Sequence, residues 1–396
     1  MPSAAHRARV NKERLMNSSL RWLRLASLVL VGVLASCSMF SGKKARIEPA
    51  PLVEFKPSLT VRTLWRADIG AAGTPFLTPA FADGKVFAAG SGGKVVAVDA
   101  SSGQTTWSIT VDAEIAAGVG ADAATVAVAS ARGTVFAFDA ATGKQRWKVK
   151  ASTEVLSAPA VGSGVVVVRS MDNKIVAYDV ETGERRWLVQ RTAPALVLRS
   201  APGIVIADGV AFVALPAGRL LAINTATGVA RWDAPVAEPR GATELERVAD
   251  VSGLPALLGR DICATAYQGR IACMDTSNGS LRWAREFSAD AGPAMDQRYV
   301  FAADEIGVLA GFSRDTGGSL WRSTALRGRG LSAPVSFGRA VVVGDKEGYL
   351  HFLSREEGAM LARLNTGSQV RAAPVVTGAN LVVQTVDGKL IALTTE

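Results

Sequence analysis

Histidine is nearly missing from this chain: two residues in 396, of which only His351 lies beyond the N-terminal segment. Cysteine is almost as scarce, with Cys37, Cys263 and Cys273. So small an inventory supplies neither the ligand set of a zinc site nor a Cys/His or Ser/His/Asp arrangement of recognisable form. The glycine-rich stretch Gly90-Ser91-Gly92-Gly93 is not followed by the Gly-Lys-Ser/Thr of a phosphate cradle. The apolar run at residues 25–34 falls short of the ~20 residues that span a bilayer. Charged residues make up only 20% of the chain, while 39 glycines accompany abundant Val and Ala. That balance suits short strands and tight turns better than long solvated helices. No catalytic residue, metal or cofactor is expected.

The N-terminus is set aside first. Arg21 and Arg24 precede the apolar run, and the small residues Leu34-Ala35-Ser36 lead to Cys37. A basic region, a short apolar stretch and a small-residue cut site describe an export signal over residues 1–36, with Met16 an alternative start. Leu-Ala-Ser-Cys resembles the lipobox of bacterial lipoproteins. The resemblance implies a lipidated Cys37 at the mature N-terminus, and Ser38 in place of Asp after it implies the outer membrane, facing the periplasm. Several acyl chains on one residue hold a protein firmly to a bilayer. Residues 37–58 are then a tether, and 59–396 form one folded domain. Within residues 1–36, six Lys and Arg oppose Glu13 alone, so the signal holds +5 of the formal +9. The remaining +4 gives no reason to expect nucleic acid.

One unit recurs through the rest: Gly, an alternating apolar strand containing Ala, Asp, a turn ending in Gly, then Trp. Gly93, Ala97, Asp99, Gly103 and Trp107 form the first copy; Gly133, Ala137, Asp139, Gly143 and Trp147 the second. Further copies end at Trp187, Trp232, Trp283 and Trp321, with Cys273 in the alanine place of the fifth. The seventh has Ser354 for Asp and Ala362 for Trp, and the eighth stops at Glu396 before its Trp. Trp65 stands one interval ahead of the first full copy, so the segment at residues 59–69 is expected to supply the eighth unit's last strand. About 40 residues per copy, read as four strands (78–82, 85–89, 94–99 and 105–110 in the first), predict an all-β, eight-bladed β-propeller of four-stranded antiparallel blades. Closing the ring with the N-terminal strand leaves no open end. The seven tryptophans are expected to dock each blade on its neighbour.

Trp-to-Trp intervals run 42, 40, 40, 45, 51 and 38 residues. The excess lies at residues 190–199 and 235–253, both between an outer strand and the next inner strand, and so expected side by side on one face. The first is apolar at Leu196, Val197 and Leu198 before Arg199; the second is charged, with Glu238, Arg240, Glu244, Glu246, Arg247 and Asp250. Thr243 and Glu246 are spaced to cap a short helical turn. An apolar stripe beside a charged rim is the composition of an interface. Cys263 and Cys273 bracket a turn on two strands expected to pair, as either a cross-strand disulfide or two buried thiols.

The motif Ala-x-Asp-x-x-x-Gly-x-x-x-Trp resembles the tryptophan docking motif of quinoprotein-type propellers. Joined to a lipobox at this length, the chain resembles the BamB family of lipoproteins of the outer-membrane β-barrel assembly machinery. The resemblance implies a non-catalytic scaffold that binds BamA and assists insertion of barrel proteins, with unfolded outer-membrane proteins as further partners. It implies that Leu196, Leu198, Arg199 and Asp250 engage BamA, and that Ser252 replaces a second acidic residue of the family's contact segment. Two other readings stay open: a quinone-dependent dehydrogenase, and a binding propeller of another envelope complex. Against the dehydrogenase, Cys263 and Cys273 are not adjacent, and no Asp/Asn/Glu cluster offers calcium ligands.

Overall fold

The computed structural model describes residues 48–73, 77–199 and 202–396. Residues 1–36, expected to be an export signal, and Cys37 lie outside the described residues. Pro49–Glu396 forms one compact unit of eight four-stranded antiparallel sheets, with no helix among the described residues. Blade 1 runs Ala80–Ala82, Lys85–Ala89, Lys94–Asp99 and Thr105–Thr110, inner to outer. Blades 2 to 7 repeat this order along the chain. Blade 8 takes Val375–Thr377, Asn380–Gln384 and Lys389–Thr395 from the C-terminus and Val61–Asp68 from the N-terminus, the last two paired antiparallel. The expected eight-bladed ring closed by the N-terminal strand is the fold observed. Blade 1's inner strand is shorter than the 78–82 expected. In blade 1 the ladder begins after Pro79, which has no N–H to donate.

Seven blade junctions share one device. The indole of Trp107 donates to the carbonyl of Ala140 in the next blade's turn at 3.0 Å, and Trp147 does the same to Val180. Trp65 donates to Ala100 at 3.0 Å, carrying the device across the ring closure. Each ring lies over a turn glycine: a Cβ at Gly143 would sit 2.8 Å from Cδ2 of Trp107. Asp139 shapes that turn by accepting from the Ala141 and Thr142 amides. The Thr142 hydroxyl and Arg146 hold its carboxyl at about 2. Within a blade the Trp faces a small residue of the third strand: Ala97 opposite Trp107, Cys273 opposite Trp283, Gly311 opposite Trp321.

The junction of blades 7 and 8 is built differently, for a geometric reason. An indole needs a closed turn to sit on, and in blade 8 that turn is the gap between Glu396 and Thr60, bridged by their backbone hydrogen bonds. There Ala362 stands in the tryptophan place, and the sizes reverse: Phe352 of the third strand faces it. Leu59 packs into the same buried cluster as Phe352, Leu361 and Ala362. The segment before Leu59 runs as a strap along blade 7's outer strand, Met360–Asn365. Ser58 donates its amide to Leu361, Arg363 donates to the Val53 carbonyl and lies over Phe55, and Ala50 exchanges hydrogen bonds with the Arg327 carbonyl and Arg329.

Candidate functional site

Strands alternate in direction, so outer-to-inner connections and second-to-third turns share one face of the ring. Both insertions emerge there, after blades 3 and 4, and they meet at Asp250. One Asp250 oxygen accepts the Leu198 amide at 2.6 Å, and the other accepts the Ala217 amide at 3.0 Å from the blade 4 turn. Asp250 is 4% exposed. A carboxylate so placed fixes the loops rather than offering a charge to solvent. Its counter-charge is Arg169, a buried guanidinium that burial brings down to about 10 against the attraction of Asp250. Arg169 also donates to Asn173 at 2.7 Å. A cavity of about 10 Å³, room for about one water, lies between Arg169, Asn173, Leu198, Pro216 and Asp250.

This frame presents the other predicted residues differently. Leu196 is 47% exposed, whereas Leu198 is half-buried over the cavity. Arg199 is exposed and makes a two-pronged pair with Glu154 of the blade 2–3 connection, at 2.8 and 3.1 Å. Ser252 is buried and donates its hydroxyl to the Asp250 carbonyl.

The second insertion folds its charges onto itself. Glu246 accepts from the Ala242 and Thr243 amides, and Thr243 accepts from the Glu246 amide at 3.3 Å, a reciprocal cap on one helical turn. Those amide bonds, led by Thr243's, hold Glu246 below the usual carboxylate range. The turn lifts Leu245 to 69% exposure. Beyond it the inner strand Val251–Leu258 bulges between Ser252 and Ala256, leaving Leu254 57% exposed. Neither leucine stands out in the sequence. Leu245 is masked by the charges around it, and Leu254's only signal is the Gly253-Leu254-Pro255 interruption of a strand.

Among the described residues no group of three or more His, Cys, Asp or Glu is placed to hold a metal ion. His351 is buried in blade 7, its Nε2 2.8 Å from Asp345, which Arg329 also contacts at 2.6 Å. Cys263 and Cys273 lie opposite one another in the core of blade 5 and form a disulfide.

A family model described as outer membrane protein assembly factor BamB matches residues 58–118, 113–323 and 305–396. A Bordetella pertussis protein of that description is 45% identical over 369 residues, covering 92% of this chain and 95% of its own. A Pseudomonas aeruginosa protein of the same description is 44% identical over 378 residues, covering 94% and 99%. The crystal structure of BamB from Moraxella catarrhalis superposes with a TM-score of 0.78 at 24% identity, over 85% of this chain and all of that one. A quinohemoprotein alcohol dehydrogenase from Comamonas testosteroni reaches 0.64 at 15% identity, over 84% and 76%. At such low identity the likeness is one of fold.

Proposed function

The chain belongs to the BamB family of outer membrane protein assembly factors, and from that premise we propose that it is a non-catalytic scaffold lipoprotein docking on BamA through its inserted loops. Anchored through Cys37 at the periplasmic side of the outer membrane, it assists insertion of β-barrel proteins. The single observation carrying the docking face is the Asp250 clamp: one buried carboxylate fixes both insertions and leaves Leu196, Leu245 and Arg199 outward. Exposed apolar anchors on a rigid frame lose little freedom on binding, which is how small surfaces hold a partner.

The test is co-purification of BamA from detergent-solubilised outer membrane. Truncating a central apolar anchor commonly costs about 2 kcal/mol or more, so Leu196→Ala should weaken recovery strongly while the melting curve stays put. Leu198→Ala enlarges the cavity beneath and should lower both. Arg199→Ala loses an exposed ion pair, worth about 0–1 kcal/mol to the fold, so a larger loss of BamA assigns the guanidinium to the partner. Wild-type recovery of BamA by the folded Leu196→Ala, Leu245→Ala double variant sinks this face.

A further inference from the structure

Charge is distributed unevenly between the layers of the ring. The eight outer strands, 49 residues in all, carry twelve Lys and Arg against three acidic residues. Their net charge of +9 equals that of the whole chain, so all remaining residues, basic signal included, sum to zero. Seven of these cations are exposed and in no ion pair among the described residues: Arg66, Lys148, Lys150, Arg185, Arg231, Arg285 and Arg322. They are set around the docking tryptophans on blades 8, 2, 3, 4, 5 and 6, so the repeat that builds the ring also spaces the charge around it.

Apart from blade 7, whose edge carries the strap, the outer strands are edges, paired on one side only. Positive excess on six of the eight edges (Thr105–Thr110 of blade 1 has no charged residue, and Asp233 balances Arg231 on blade 4) disfavours edge-to-edge pairing of two copies, yet favours a strand of opposite charge. We propose that the outer rim binds acidic polypeptide in an extended, unfolded form, a surface separate from the docking face. The spacing favours a chain over a membrane. A flat bilayer meets one sector of a ring, whereas a flexible polyanion follows the arc of blades 2 to 6 and meets one or two of these cations on each. Each contact is weak and exposed, so binding is salt-sensitive and exchanges fast.

The mature lipoprotein in detergent is titrated into a fluorescein-labelled peptide alternating glutamate with valine. Binding should weaken with added salt and be absent for a lysine–valine peptide. Reversing charge on three neighbouring blades (Lys148→Glu, Arg185→Glu, Arg231→Glu) should weaken it about tenfold or more. Should that variant melt early, the corresponding glutamine variant is expected to show a smaller loss in the same direction. Leu196→Ala should bind the peptide as wild type does, which separates this surface from the docking face. Equal binding of both peptides, unchanged affinity of the folded charge variants, or displacement of the peptide by phosphatidylglycerol-containing vesicles overturns the proposal, the last in favour of lipid.

Discussion

At Gly143, as at the other glycines beneath the docking indoles, two constraints coincide. Its φ is +74°, and an added Cβ would meet the Trp107 ring at 2.8 Å; Gly84 has a φ of +71° with nothing within 4 Å. Gly84→Ala should therefore cost only the left-handed strain, about 1–2 kcal/mol. Gly143→Ala should add the penalty of overpacking, about 1–3 kcal/mol more, and denaturant unfolding of the pair separates the two terms. His351 is the other residue with a measurable signature. Burial pushes its pKa below the usual value and outweighs the Asp345 hydrogen bond, with Arg329 and Arg363 pushing the same way and Tyr349 alongside. The unfolded chain then takes up the proton more readily, so this contribution is intact above about pH 6.5 and fades as pH falls toward the folded value. Asp290, raised by burial, works in the opposite sense, so the informative quantity is a difference. Wild type should lose stability relative to His351→Gln as pH falls below about 6.5; parallel profiles would show that the imidazole titrates alike in the folded and unfolded chain.

At the scale of elements, the repeat was legible because its parts constrain one another. Trp needs a small residue opposite, a glycine seat and a turn carbonyl, and all three fall at fixed spacing. The seventh unit looks like decay, yet Ala362 opposite Phe352 is a size reversal readable from position once the pairing is known. Leu59 is harder to find, because nothing in a single leucine before a strand says that it fills the one junction without an indole. Asp250 was legible as important but not as buried, since burial here comes from amides of Leu198 and Ala217, 52 and 33 residues away. Two outcomes test these elements. Leu59→Ala should cost about 2–3 kcal/mol and speed amide exchange at Ser58, Thr60 and Glu396 before other blades. Deleting residues 59–69 leaves Lys389–Thr395 as an unpaired edge and should replace cooperative unfolding by aggregation; an unchanged melting curve would mean another closure.

For the whole molecule, Cys37→Ala should release the protein from membrane pellets into the periplasmic fraction, and labelled palmitate on the variant would refute the anchor. If the chain is held by that end, tension on it does not reach the ring evenly. It arrives first at the strap, where the bonds of Ala50 to Arg329, Val53 to Arg363 and Ser58 to Leu361 break in turn, each at low force. Only when Leu59 has left its pocket is the Val61 end of the closing strand loaded. The strap is thus a fuse in series with the ring: a pull from the membrane is spent on lengthening the tether before it can open a blade.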